Sequence, residues 1–148
     1  MRFSSLVAGA FATLLFTTPV SFANDPVAER ETRMKALGET NRNLDMMIEG
    51  DIDFDLNKLQ ADVADMQTAM DGMLDLFPAG TGGGETAAKE KIWDNWQDFA
   101  DKNQANIDAL VKLAEAANSG DEDDIEDAYE VVDKTCRSCH RRYRSKNW

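Results

Sequence analysis

Leu56, Leu59, Val63, Met66, Met70, Met73 and Phe77 follow one another at spacings of three and four residues without a miss. That repeat lays one apolar stripe along a helix and suits packing at a shallow angle against a neighbouring helix. Three other segments carry helical periodicity, and none of the chain reads as a convincing strand. Pro26, a favoured first-turn residue, opens a helix expected to run to Ile48. Its stripe is Val27, Met34, Leu37, Leu44 and Ile48, with Met47 beside it, and Gly50 is a natural stop. Asp55 suits the N-cap of the second helix, Phe54 is placed to staple onto Leu59, and Pro78 is expected to end it. The third helix should run from about Ala87 to Asn118, with Ile92, Trp93, Trp96, Phe99, Ile107, Leu110 and Ala114 inward. Gly120 stops it, Asp121 or a neighbour starts the fourth, and that helix turns Ile125, Tyr129, Val132, Cys136, Cys139 and Tyr143 to one side. Four helices with short connections predict an all-α, antiparallel up-down-up-down four-helix bundle. The glycines of "PAGTGGGET" lack a following Lys-Ser/Thr and a preceding strand, so the loop is expected to be a flexible connection and not a phosphate cradle.

The first 23 residues stand apart from this pattern. Arg2, the apolar run "LVAGAFATLLF" and the small residues Ser21 and Ala23 form a secretory leader, with cleavage expected after Ala23. The run is shorter than the roughly 20 residues of a spanning helix. No other segment is long and apolar enough to span, so one exported, periplasmic domain over 24–148 is expected, with no membrane span after cleavage. All 28 acidic residues lie before Lys134, and the formal charge of the whole chain is −12. Nucleic acid is an unsuitable main partner for such a surface. The last 15 residues reverse the sign: Lys134, Arg137, Arg141, Arg142, Arg144 and Lys146 occur there without an acid. They suit a helix C-terminus, a collar for an anionic group or a docking face.

Cys136 and Cys139 are the only cysteines, and His140 is the only histidine. Zinc would need two further ligands of these types. A thioredoxin-like pair belongs at the start of a helix after a strand. A disulfide remains open for an exported pair. The reading favoured by Cys-x-x-Cys-His is covalent attachment of one haem c: two thiols add to the vinyl groups and the adjacent imidazole ligates the iron. Only eight residues follow the motif, and none is Met or His. A sixth ligand, if there is one, must come from upstream.

The whole segment after the leader resembles the class II cytochromes c, the group that contains cytochrome c prime and its low-spin relatives. The resemblance rests on "TCRSCHRRYR", on "RETRMKALG" in the first helix, on "EGDIDFD" before the second, and on "FPAGTGGGETAAKEKIW" between the second and third. It implies a left-handed four-helix bundle with haem inside and His140 as the proximal iron ligand. It implies that Arg30 lies near a haem propionate, that Arg144 covers the proximal face, and that Met34 faces the distal side of the iron. From the residues alone, Arg30 on the apolar stripe requires a partner: a propionate, a buried carboxylate or a stem reaching solvent. Arg144 can also be read as a solvated surface arginine, and Met34 as core packing.

Met34 divides two functions. As a non-ligating residue over a five-coordinate iron it implies binding of nitric oxide or carbon monoxide, the cytochrome c prime type. As a sixth ligand it implies a low-spin electron carrier. Redox partner proteins or a diatomic gas are thus the expected partners, and a homodimer through the first two helices is in the family's repertoire. No nucleophile–base pair suggests an enzyme.

Overall fold

The computed structural model describes residues 25–84 and 86–146, and the expected leader lies outside them. Helix α1 spans Pro26–Ile48, α2 Leu56–Met70, a 3-10 turn Met73–Leu76, α3 Lys91–Asp94, α4 Trp96–Ser119 and α5 Glu122–Tyr143. The caps are those the residues suggest. Asp25 accepts the Val27 amide at 2.9 Å, Asp55 the Lys58 amide at 3.0 Å and Asp121 the Asp124 amide at 3.1 Å. Gly50 and Gly120 take φ of 78° and 76°, the left-handed conformation that ends a helix. Phe54 stays exposed.

Two elements differ from the sequence expectation. The second helix stops at Met70 and not at Pro78, because Asp71 turns extended and Gly72 adopts φ 61° before the chain re-enters as a 3-10 turn. Met73 and Phe77 are buried all the same. The third helix is broken at Asn95, with φ −132° and ψ 43°, so α3 and α4 are separate and residues 87–90 precede both. The break leaves Trp96 at 39% exposure instead of inward.

Side-chain hydrogen bonds give the register of the bundle. Gln60 and Gln67 of α2 donate to the carbonyls of Ala117 and Leu110 on α4. Asn106 and Lys102 of α4 reach Thr135 and Ser138 on α5. The Tyr129 hydroxyl on α5 lies 3.0 Å from Asp45 Oδ1 and 3.2 Å from the Asn41 carbonyl on α1. In the α2/α4 and α4/α5 pairs, ascending numbers on one helix meet descending numbers on the other, so these neighbours are antiparallel. Leu44, Leu59, Val63, Leu110, Leu113, Ile125 and Val132 fill the interior at 1% exposure or less. Each contributes about 1.5–3 kcal/mol by leaving water.

The glycine-rich connection is not slack. Gly83 N donates to Ala88 O at 2.8 Å, and Trp93 Nε1 donates to Phe77 O at 3.1 Å. Lys89 N to Tyr143 O and Ser145 N to Ala87 O tie the segment to the end of α5, with an antiparallel bridge between Ala88 and Arg144. Gly82 lies against the Trp93 indole so closely that a Cβ there would fall 2.1 Å from Cζ3. Gly82→Ala should therefore cost about 1–3 kcal/mol through overpacking. Thermal unfolding checks this, and an unchanged midpoint would contradict the packing.

Candidate functional site

Cys136 and Cys139 sit three residues apart on the last turns of α5, so both point to the same side. Both are free thiols, half-buried and packed against the core. Burial pushes both thiols up, that of Cys139 to about 11. His140 is the next residue, turned about 100° further round the helix. It is exposed, yet partial desolvation, and then Arg144, lower its pKa and favour the neutral imidazole that ligation needs.

Helix α1 faces this motif. The Tyr129 contact with Asn41 and Asp45, carried along antiparallel helices, sets Met34 level with the Cys136–His140 turn and Arg30 level with residues 140–144. Met34 is half-buried. Close backbone approaches join α5 to α4, α4 to α2 and α2 to α1, whereas α1 and α5 approach one another only sparsely. Two free inward thiols, a neighbouring neutral imidazole and a facing helix that stands off are a donor set that fits a covalently held haem.

Arg30 is 3% exposed. Its Nη1 donates to Leu76 O at 3.1 Å and Thr81 Oγ1 at 2.8 Å; its Nη2 donates to the Thr81 carbonyl and to Thr86 Oγ1 at 3.1 Å. The guanidinium carbon lies 4.8 Å from the centroid of the Phe77 ring. Burial, the largest influence, lowers its pKa. The partners are thus loop carbonyls and hydroxyls, which the sequence reading did not weigh. Arg144 is exposed, and its amide donates to His140 O at 2.9 Å where α5 ends.

Near the motif, Asn106 and the polar partner of Tyr143 are not legible in the sequence pattern. Asn106 is 7% exposed and donates from Nδ2 to Thr135 Oγ1 at 2.8 Å and to Cys136 Sγ at 3.4 Å. Its only trace there is a place on the stripe of Phe99, Leu110, Leu113 and Ala117, where a polar residue needs a buried partner. Tyr143, 2% exposed, donates to Asp98 Oδ2 at 2.5 Å. That bond is the main reason the Asp98 carboxyl is held below its usual range, with Arg142 assisting.

The outer surface carries a groove of about 420 Å³ between α1 and α2, lined by Ala36, Leu37, Thr40, Met66 and Ala69 among others. A second, of about 460 Å³, lies between α4 and α5 around Ala116, Ala128 and Val131. Neither includes the Cys-x-x-Cys-His residues. Among the described residues, no helix is long and apolar enough to cross a membrane.

An antiparallel helical bundle with Cys-x-x-Cys-His on its last helix defines a bundle-type cytochrome c, and comparison with known proteins agrees. The family model described as Cytochrome C' matches residues 25–144. A cytochrome c' of Alcaligenes xylosoxydans xylosoxydans is 30% identical over 122 residues, 82% of this chain and 94% of the relative. A cytochrome c-556 of Agrobacterium tumefaciens strain B2A is 33% identical over 121 residues, 81% and 97% of the two chains. Among solved structures, cytochrome c prime from Shewanella frigidimarina superposes with a TM-score of 0.79 at 27% identity, covering 82% of this chain and 95% of that one. A nitric oxide complex of a cytochrome c prime variant from Alcaligenes xylosoxidans gives a TM-score of 0.77 at 30% identity, covering 85% and 99%. The chain belongs to the cytochrome c' family. It is a mono-haem cytochrome of the c prime type whose cofactor is one covalent haem c.

Proposed function

We propose that the protein binds nitric oxide or carbon monoxide and exchanges single electrons from the periplasm, after removal of residues 1–23, with 24–148 as the working domain. What supports this reading is the match to cytochrome c' over residues 25–144, with Met34 on α1 level with the Cys136–His140 turn of α5. Haem c, when bound, supplies a reversible one-electron iron centre with an axial position for a small gas. Cys136 and Cys139 hold it by thioether bonds, and His140 is the proximal ligand. Met34 crowds the distal side without ligating. Arg144, next to the end of α5, shields the imidazole side. Arg30 holds the 76–86 loop against α1 and supports a propionate from there. The roles are binding, orientation and shielding, and turnover of a substrate is not assigned.

Partners follow from the same surface. Arg137, Arg141, Arg142, Arg144 and Lys146 are exposed at the motif end, and a redox partner with an acidic face fits there. The α1/α2 groove, lined by Ala36, Leu37, Met66 and Ala69, suits a second copy of the chain. The deciding experiment is the optical spectrum of the purified ferric and ferrous protein, before and after each gas. A high-spin spectrum that shifts with the gases supports the proposal. A low-spin spectrum with a methionine–iron charge-transfer band, indifferent to carbon monoxide, would make Met34 a ligand and the protein an electron carrier only. The mass of the same sample reports both the leader's removal and the attached haem.

A further inference from the structure

A single chain of hydrogen bonds joins the core of α4 to one sulfur of the motif. The Thr135 hydroxyl donates to Val132 O at 2.7 Å, so its proton is committed. It can then only accept from Asn106 Nδ2, at 2.8 Å. This assigns the orientation of the Asn106 amide: its nitrogen, not its oxygen, faces α5. An amide nitrogen has two hydrogens, and the second is directed at Cys136 Sγ, 3.4 Å away. Asn106 is 7% exposed, so water competes little for that hydrogen.

We propose that Asn106 is a positioning residue for the Cys136 sulfur, and that its N–H···S hydrogen bond raises the reduction potential of the attached haem. The inference rests on the haem attachment proposed above. When Cys136 adds across a vinyl group, a carbon–sulfur bond forms, the π bond opens, and the thiol hydrogen ends on the other vinyl carbon. No electrons are gained or lost overall. The sulfur loses its only donor but keeps its lone pairs, so the thiol can no longer donate and the thioether can still accept. Asn106 and Thr135 need not move for the bond to persist. The positive end of the amide dipole would then lie beside the attached sulfur and favour the reduced, electron-richer form of the haem it holds. A bond of this kind is worth roughly 1 kcal/mol in total, and only the difference between its strength in the two oxidation states moves the potential, so about fivefold in the equilibrium constant is the ceiling.

The test uses holoprotein from cells competent in haem attachment, comparing wild type with Asn106→Leu, Asn106→Asp and Thr135→Val. Mass spectrometry first establishes that haem is attached in each. Asn106→Leu removes the donor at similar size, and its equilibrium constant for reduction should fall by up to about fivefold, at most about 40 mV at 59 mV per decade for one electron. Asn106→Asp should fall further, because a carboxylate replaces the donor. Thr135→Val keeps the amide but frees it, and should shift the potential in the same direction by less; it answers the question if Asn106→Leu fails to fold. Resonance Raman should show a changed carbon–sulfur stretch in Asn106→Leu. An unchanged potential in Asn106→Leu or, should that variant not fold, in Thr135→Val overturns this inference and leaves the proposed function standing. A wild-type protein without haem overturns the proposed function, and this inference with it.

Discussion

The Met34→Ala protein should bind carbon monoxide in the ferrous state about tenfold more tightly than the wild type, a change of about 1.4 kcal/mol. The expectation follows from placement. Met34 lies on α1, level with the Cys136–His140 turn of α5, and is half-buried against the core beside the sparsely packed α1/α5 seam. On the proposed reading a methionine there would occupy the space a gas must enter, and its flexible side chain would yield only at a cost. Alanine removes that cost. Titration with carbon monoxide, followed optically, measures it. Leu37→Ala, one turn away on the same helix, is the control and should change affinity far less. If Met34→Ala kept both the wild-type spectrum and the wild-type affinity, Met34 would be ordinary core packing and the distal assignment would be wrong.

Arg30→Leu should lower stability by about 3 kcal/mol and the unfolding midpoint by about 10 °C. Leucine leaves the carbonyls of Leu76 and Thr81 without a donor in a buried setting, and it ends the contact with the Phe77 ring. Hydrogen bonds to a charged donor contribute about 1.5–3 kcal/mol each, and part of that is offset by the burial that lowers the Arg30 pKa. The loss should be local before it is global. Amide exchange at Gly83, Lys89 and Ser145, whose hydrogen bonds close the loop onto itself and onto α5, should speed up more than exchange in α4. Arg30→Lys keeps the charge but cannot fork to four acceptors, so it should recover only part of the stability. A midpoint within about 2 °C of wild type in Arg30→Leu would show that the loop holds without this anchor.

How far the residues alone lead can be judged element by element. The caps Asp55 and Asp121 and the stops Gly50 and Gly120 act through neighbours three to five residues away, and all four were legible; the Asp25 cap was not, although Pro26 marked the same helix start. The stripe from Leu56 to Phe77 correctly marked which side chains go inward, but it did not reveal that the backbone leaves the α-helix at Asp71. Periodicity reports burial, and a 3-10 turn can bury Met73 as well as an α-helix can. Trp96 failed for the related reason that one kink at Asn95 rotates everything after it.

Composition and spacing by themselves determined the class of the protein: a helical bundle, an acidic surface with a basic end, and two thiols and an imidazole gathered for haem. These depend on side-chain chemistry and on contacts within a helical turn or two. Only the tertiary structure decided the partners of Arg30, the closure of the 76–90 segment, the donor from Asn106 to Cys136, and the register that brings Met34 opposite the motif. The pairings of Arg30, Asn106 and Met34 join residues about 30 to 100 positions apart. Such pairings are set by how whole helices pack, and no local pattern encodes them.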